Sequence, residues 1–157
     1  MDSRKAPLFE SLLKHRERSA AGFHVPGHKS GKGIDPQAAA WLGNVCAVDL
    51  TELTGLDDLH HPEGVIREAE RLAAVCFGAD ETFFLVGGST VGNLALLLTV
   101  CEPGDLIVVQ RNAHKSVIHG LMLAGARAVF VHPRRDPESG LATGIDPAAV
   151  ERALEQY

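Results

Sequence analysis

Eleven residues, Phe83-Phe84-Leu85-Val86-Gly87-Gly88-Ser89-Thr90-Val91-Gly92-Asn93, limit the possible folds more than any other stretch. Thr82 to Val86 is an apolar, β-rich run of strand length. Gly87 and Gly88 end that run and open backbone angles closed to other residues. Ser89 and Thr90 stand where a helix N-cap belongs, and Leu94-Ala95-Leu96-Leu97-Leu98 continues as a helix. The reading is strand, glycine turn, helix. A turn of this kind gathers free backbone N–H groups and two hydroxyls at the positive end of a helix dipole, where a phosphate group fits well. The plainer reading is an ordinary strand–turn–helix junction with a serine cap, which many α/β proteins contain.

The rest of the chain extends this pattern. Glu63 to Phe77 has Val65, Ile66, Ala69, Leu72, Ala73 and Cys76 at helical spacing, with Gly78 as its stop. Leu106 to Gln110 is a continuous apolar run of the buried parallel-strand type. Ser116 to Ala124 reads as a helix capped by Ser116 and ended by Gly125. Arg127 to Val131 is a third strand, and His132 to Gly144 is a polar loop. Asp146 caps a last helix, Pro147 to Gln156, with proline at its first position. Strands and helices in alternation with short links predict a parallel sheet with helices on its faces. Phe83–Val86, Leu106–Gln110 and Arg127–Val131 are its expected strands. Three strands leave an open edge, so the pattern reads as the first part of a larger domain.

The first third is less regular. Pro7 to Ala20 carries an apolar stripe of Leu8, Phe9, Leu12 and Leu13 and predicts a helix. Gly22 to Gly33 holds four glycines and one proline in twelve residues, which excludes a regular element. Phe23, His24 and His28 favour an ordered loop over a flexible linker. Pro36 to Leu42 is a short helix capped by Asp35, and Val48 to Thr54 is extended.

Composition excludes several function classes. The 157 residues suit one domain and are 45% hydrophobic, so the chain is not disordered. A net charge of −5 with no basic run argues against nucleic acid or an anionic membrane surface as the main partner. No apolar stretch reaches membrane-spanning length, and Met1-Asp2-Ser3-Arg4-Lys5 does not open a signal peptide. Cys46, Cys76 and Cys101 are odd in number and far apart, as expected of small core residues in a reducing cytoplasm. Asp57, Asp58, His60 and His61 invite a metal reading, but no His-Glu-x-x-His accompanies them and the cysteines are remote.

Ligands of an open α/β sheet sit beyond the C-terminal ends of its strands. The Gly87–Thr90 turn and the segment Arg111-Asn112-Ala113-His114-Lys115-Ser116 share that edge. A flat ring stacked on His114 with its phosphate in the Ser89 turn is a workable geometry. No Gly-Lys-Ser/Thr or Gly-x-Gly-x-x-Gly pattern is present, so nucleotide readings have little support.

Seven motifs in order carry a resemblance. They are Phe23-His24-Val25-Pro26-Gly27-His28-Lys29, Asp49-Leu50-Thr51-Glu52, Gly55-Leu56-Asp57-Asp58-Leu59-His60-His61-Pro62, Phe77-Gly78-Ala79-Asp80, Gly88-Ser89-Thr90-Val91-Gly92-Asn93, Pro103-Gly104-Asp105 and the His114 segment just given. From Phe23 onward the chain resembles the bacterial ornithine/lysine/arginine decarboxylases, which are fold-type-I pyridoxal 5′-phosphate enzymes. The resemblance implies part of a three-layer aminotransferase-like large domain with a mainly parallel sheet. Residues 1–62 would be an N-terminal helix and loop segment, and residues 63–157 the first part of the cofactor domain. It implies that Gly88, Ser89 and Thr90 bind the cofactor phosphate and that His114 stacks on the pyridine ring. It assigns the covalent anchoring lysine, in a Ser-x-His-Lys motif, and the aspartate facing the ring nitrogen to a region downstream of this chain. Lys115 follows a histidine but belongs to a different motif, so no catalytic lysine is expected here. The implied setting is cytoplasmic polyamine metabolism, with a basic amino acid as substrate. The implied assembly is a homo-oligomer or a pairing with a complementing C-terminal chain. The competing expectation is a non-catalytic module that binds a phosphate-bearing ligand or a subunit, or the remnant of a truncated gene.

Overall fold

The computed structural model of the chain describes residues 5–18 and 21–157. The chain forms two compact units, Met1–Phe84 and Leu85–Tyr157. Among the described residues no helix is long and apolar enough to cross a membrane.

In the first unit, helix α1 spans Pro7–Glu17, with proline at the start where no N–H is needed. The expected continuation of α1 to Ala20 reaches residues 19 and 20, which lie outside the described residues. Helix α2 spans Pro36–Cys46, longer than the expected run to Leu42. The Asp35 carboxylate caps it by accepting from the backbone of Gln37 (2.8 Å) and Ala38 (3.4 Å). Helix α3 spans Val65–Phe77 and ends on Gly78, whose φ of 68° permits the left-handed closing residue. Helices α1 and α3 pack together, and Leu56, Ile66 and Ala74 are buried in this unit. Val48 to Thr54 is not extended. It folds into turns closed by Leu53 N–H to Thr51 C=O and Leu56 N–H to Leu53 C=O, each 2.8 Å. These short-range bonds occupy groups that an extended segment would offer to a neighbour.

The Gly22–Gly33 loop is organised around His28. Its Nδ1 accepts from Gly31 N–H (3.2 Å) and its Nε2 donates to Asp49 (3.0 Å). Two of the seven motifs are thereby joined by one side-chain bond. Asp57 organises the following loop. It sits at φ 71°, a left-handed conformation that aspartate tolerates better than most residues. Its carboxylate accepts backbone N–H bonds from Asp58, Glu63, Gly64, Ile66 and Arg67, the last four at the start of α3. Partial burial pushes this carboxyl up, but the N–H donors outweigh it and bring its pKa down to about 2.

In the second unit, helix α4 spans Gly88–Val100, strand β1 Leu106–Gln110, helix α5 Lys115–Ala124 and strand β2 Arg127–Val131. Strands β1 and β2 pair in parallel, Leu106 opposite Arg127 and Gln110 opposite Val131. Helices α4 and α5 pack on each other. Leu97, Cys101, Val109, Leu121 and Ala124 form the core between them and β1. A Cβ on Gly120 would lie 2.5 Å from Leu97 Cδ1, so the two helices approach as closely as they do only because α5 has no side chain there. Strands β3 (Pro133–Arg135) and β4 (Ala142–Ile145) then form an antiparallel hairpin, and helix α6 spans Pro147–Gln156 under the Asp146 cap.

Four further expectations are corrected. Phe83–Val86 is not a strand; β1 and β2 form a two-stranded sheet. The Phe84 N–H, which a ladder would need, is taken by the fully buried Glu70 carboxylate at 3.1 Å. Residues 132–144 are not a plain loop but contain β3 and the start of β4. Their turn is closed by Asp136, which accepts from Glu138 N–H, Ser139 N–H and Ser139 Oγ–H. Those same donors hold the Asp136 carboxyl below its ordinary range. Ser116 does not cap α5, because His114 does. Of the cysteines, Cys101 is buried and Cys46 half-buried, whereas Cys76 is exposed.

Candidate functional site

The site is built where α4 and α5 begin. Gly87 is the N-cap of α4, and no side chain accepts from its first turn. Gly88 takes φ 62°, which lets the chain swing into the helix without a Cβ in the way. A Cβ on Gly87 would lie 2.9 Å from Val91, so this glycine is fixed by contact, not by its angles. Ser89 and Thr90 are therefore the second and third helical residues, not the cap, and both are exposed. The first turn of an α-helix has no intrahelical acceptors for its N–H groups. Here those donors and two hydroxyls remain available at the positive end of the dipole.

His114 opens α5. It has φ −61° and ψ 150°, and its Nδ1 accepts the Ser116 backbone N–H at 3.2 Å. Ser116 is almost completely buried, with 1% of its surface exposed. Its Oγ lies 2.8 Å from His114 Nδ1 and accepts from Asn93 Nδ2 at 2.7 Å. Asn93 stands one turn after Ser89 on the same face of α4, about 6 Å along the axis. Two side-chain bonds thus connect the second turn of α4 to the histidine. The sequence pattern predicts Gly88, Ser89, Thr90 and His114 at one sheet edge; the structure puts the first three at the start of α4 and His114 at the cap of α5, two helices that pack on each other. The pattern missed the connecting role of Asn93 and Ser116. The signal was a polar residue one turn beyond the serine and a small hydroxyl two residues beyond the histidine. Lys115 is the exposed first residue of α5. Beside the site, the Arg111 guanidinium lies over the Phe130 ring, 5.0 Å from its centre.

A family-wide sequence description, "Orn/Lys/Arg decarboxylase, major domain", matches residues 6–156. The chain belongs to the Orn/Lys/Arg decarboxylase family. An arginine decarboxylase of Bacillus anthracis is 46% identical over 154 residues, covering 98% of this chain and 31% of that protein. An ornithine decarboxylase of Haemophilus influenzae is 32% identical over 157 residues, covering 92% of this chain and 21% of that protein. Among solved structures, the constitutive lysine decarboxylase of Escherichia coli matches with a TM-score of 0.80 at 25% identity, covering 97% of this chain and 22% of that one. The chain therefore spans about a third or less of the length of these decarboxylase relatives. Its architecture is α/β and corresponds to part of a fold-type-I domain.

The residues present fit the cofactor that the family resemblance implies. A phosphate dianion needs clustered N–H and O–H donors with no acid beside them. The α4 start supplies Ser89, Thr90 and the free N–H groups of its first turn, and neither α4 nor α5 has an acidic residue in its first turn.

Proposed function

We propose that these residues form the phosphate cup and one ring-facing wall of a pyridoxal 5′-phosphate-dependent decarboxylase for a basic amino acid. One observation carries the reading: α4, whose start is uncapped, is joined from its second turn to His114 through Asn93 and Ser116. In this reading the first-turn N–H groups and the Ser89 and Thr90 hydroxyls bind the phosphate. Gly88 lets the backbone approach it, and the His114 ring lies flat against the pyridine. Bound pyridoxal phosphate supplies the electron sink for the bond that breaks when carbon dioxide leaves. The chain's own residues anchor and orient that group. The anchoring lysine and the ring-nitrogen aspartate are assigned by resemblance outside these residues, and Lys115 is not given that role. The 157 residues alone are therefore expected to bind the phosphate and to release no carbon dioxide from arginine, lysine or ornithine. Activity would require a homo-oligomer of longer chains or a complementing chain, in the cytoplasm.

Pyridoxine 5′-phosphate tests the cup without aldehyde chemistry at surface lysines. Titration followed by amide NMR should shift Gly88, Ser89 and Thr90, whereas unphosphorylated pyridoxine should not. A hydrogen bond to a charged group is worth roughly 1.5–3 kcal/mol, so Ser89→Ala should weaken binding about tenfold or more. Equal binding of the two compounds, or no effect of Ser89→Ala, would overturn the proposal. A second reading, a phosphate-ligand module without catalysis, draws on the same uncapped start of α4. It predicts the same titration but no carbon dioxide release when a chain carrying the Ser-x-His-Lys segment is added.

A further inference from the structure

The hydrogen bonds around His114 run in one direction. Asn93 Nδ2 can only donate, so Ser116 Oγ accepts from it. The Ser116 hydroxyl is then free to donate to His114 Nδ1, 2.8 Å away. The Ser116 backbone N–H is a donor as well, and it points at the same nitrogen. Nδ1 is faced by donors alone, so the lone pair sits there and the ring proton sits on Nε2. Among the described residues Nε2 has no hydrogen-bond partner. Ser116 has no room to turn away, since it is buried between α4 and α5.

We infer that Asn93 and Ser116 are positioning residues that act through His114. They fix its ring plane and keep its proton on Nε2, so that the site offers one flat face and one outward N–H donor to its ligand. This deepens the cofactor reading of His114 and rests on it for the identity of the ligand, but the tautomer itself does not. An N–H donor at this place suits an anionic oxygen outside the plane of a stacked ring, such as a substrate carboxylate.

The test is the long-range ¹H–¹⁵N correlation spectrum of the histidine-labelled chain, with His114 assigned by loss of its signals in His114→Gln. The wild-type pattern should be that of the Nε2–H form. Asn93→Asp replaces the donor by an acceptor of the same shape. The Ser116 hydroxyl then turns to the carboxylate and presents a lone pair to His114, while the Ser116 N–H still faces Nδ1, so the share of the Nδ1–H form should rise without displacing the Nε2–H form. If that variant does not fold, Ser116→Ala carries the test. It removes the relay but keeps the backbone donor, and the His114 signals should broaden as the ring loosens while those of the exposed His119 do not. A wild-type Nδ1–H pattern would overturn the inference, and so would an unchanged pattern in folded Asn93→Asp. The same would follow if Ser116→Ala left the His114 signals as sharp as in the wild type. An Nε2–H pattern in a chain that ignores pyridoxine 5′-phosphate would keep the positioning role and remove the cofactor reading.

Discussion

Asp57→Asn isolates the contribution of one charge to the first unit. Asparagine keeps the shape and is as tolerant as aspartate of φ 71°, so the backbone is not penalised. What changes is acceptor capacity. In the native chain Oδ1 serves Asp58 and Glu63, and Oδ2 serves Gly64, Ile66 and Arg67. An amide has one oxygen, so its NH₂ must face one of these donor sets. The milder choice keeps the oxygen on Gly64, Ile66 and Arg67 and strands two N–H groups. At about 0.5–1.5 kcal/mol net for each bond, with an increment for the lost charge, the cost is about 2–3 kcal/mol.

The lowered pKa gives a second figure for the same bonds. Lowering a carboxyl from 3.8 to about 2 corresponds to at most ~2.5 kcal/mol, trimmed toward 1–2 because the group is partly solvated. The folded pKa lies below the unfolded one. The stabilisation is therefore complete above pH ~4 and is lost as pH falls through about 2. Urea unfolding at pH 7, followed by far-UV circular dichroism, should show Asp57→Asn less stable by about 2 kcal/mol. Trp41 is a poor probe because it is 87% exposed. The gap between the two proteins should close between pH 4 and 2, as the native carboxyl takes up its proton. Asp57→Ala should lose about 1 kcal/mol more, from the left-handed angle. A variant within ~0.5 kcal/mol of wild type at pH 7, or a gap unchanged at pH 2, would refute the reasoning.

Gly120→Ala should destabilise the second unit by about 1–3 kcal/mol in the same assay, because the new methyl meets Leu97 Cδ1 at 2.5 Å and Leu97 is itself buried. Gly88→Ala meets nothing within 4 Å, so its cost should be only the roughly 1–2 kcal/mol of holding alanine at φ 62°. Equal stability of wild type and both variants would remove the steric account of the α4–α5 contact and of the turn.

Much of the second unit was legible because its signals are local. An apolar run of strand length, a proline after an aspartate and a glycine at a helix end each act over a few residues. They gave β1, β2, α6 and the end of α5, and in the first unit the end of α3. Phe83–Val86 shows where such signals stop. Its composition suits a strand, but a strand also needs partners for its N–H and C=O groups, and the Phe84 N–H is bound by a glutamate on α3. Glu70 itself was unreadable, since a charged residue on the buried face of an amphipathic helix looks like an exception to the pattern. The β3–β4 hairpin was hidden by its short strands, in which no residue is fully buried and no apolar alternation can be detected, and only the Asp136 turn marks them. In the candidate site the single residues were visible and their connection was not. Asn93 and Ser116 lie 23 positions apart, and only the packing of α4 on α5 makes them neighbours.

That packing has an electrostatic consequence. Helix α4 enters β1 at its N-terminal end, through Cys101–Asp105, and α5 leaves β1 at its C-terminal end, through Arg111–His114. Both helices therefore begin at the same end of the strand, and Gly120 lets them lie close. Two positive dipole ends side by side repel, and no acidic side chain in either first turn offsets them. An anion bound there relieves the repulsion as well as filling the free N–H groups, so it should stabilise the fold. At a hundred times its dissociation constant a ligand of the native state adds about 2.7 kcal/mol. Thermal unfolding in inorganic phosphate, compared with chloride at equal ionic strength, should rise in wild type. The rise should shrink in Ser89→Ala, whose helix start loses one of its hydroxyl donors but keeps its dipole. If phosphate leaves the melting temperature unchanged, the paired helix starts are satisfied by solvent alone and the anion cup fails as an explanation of their geometry.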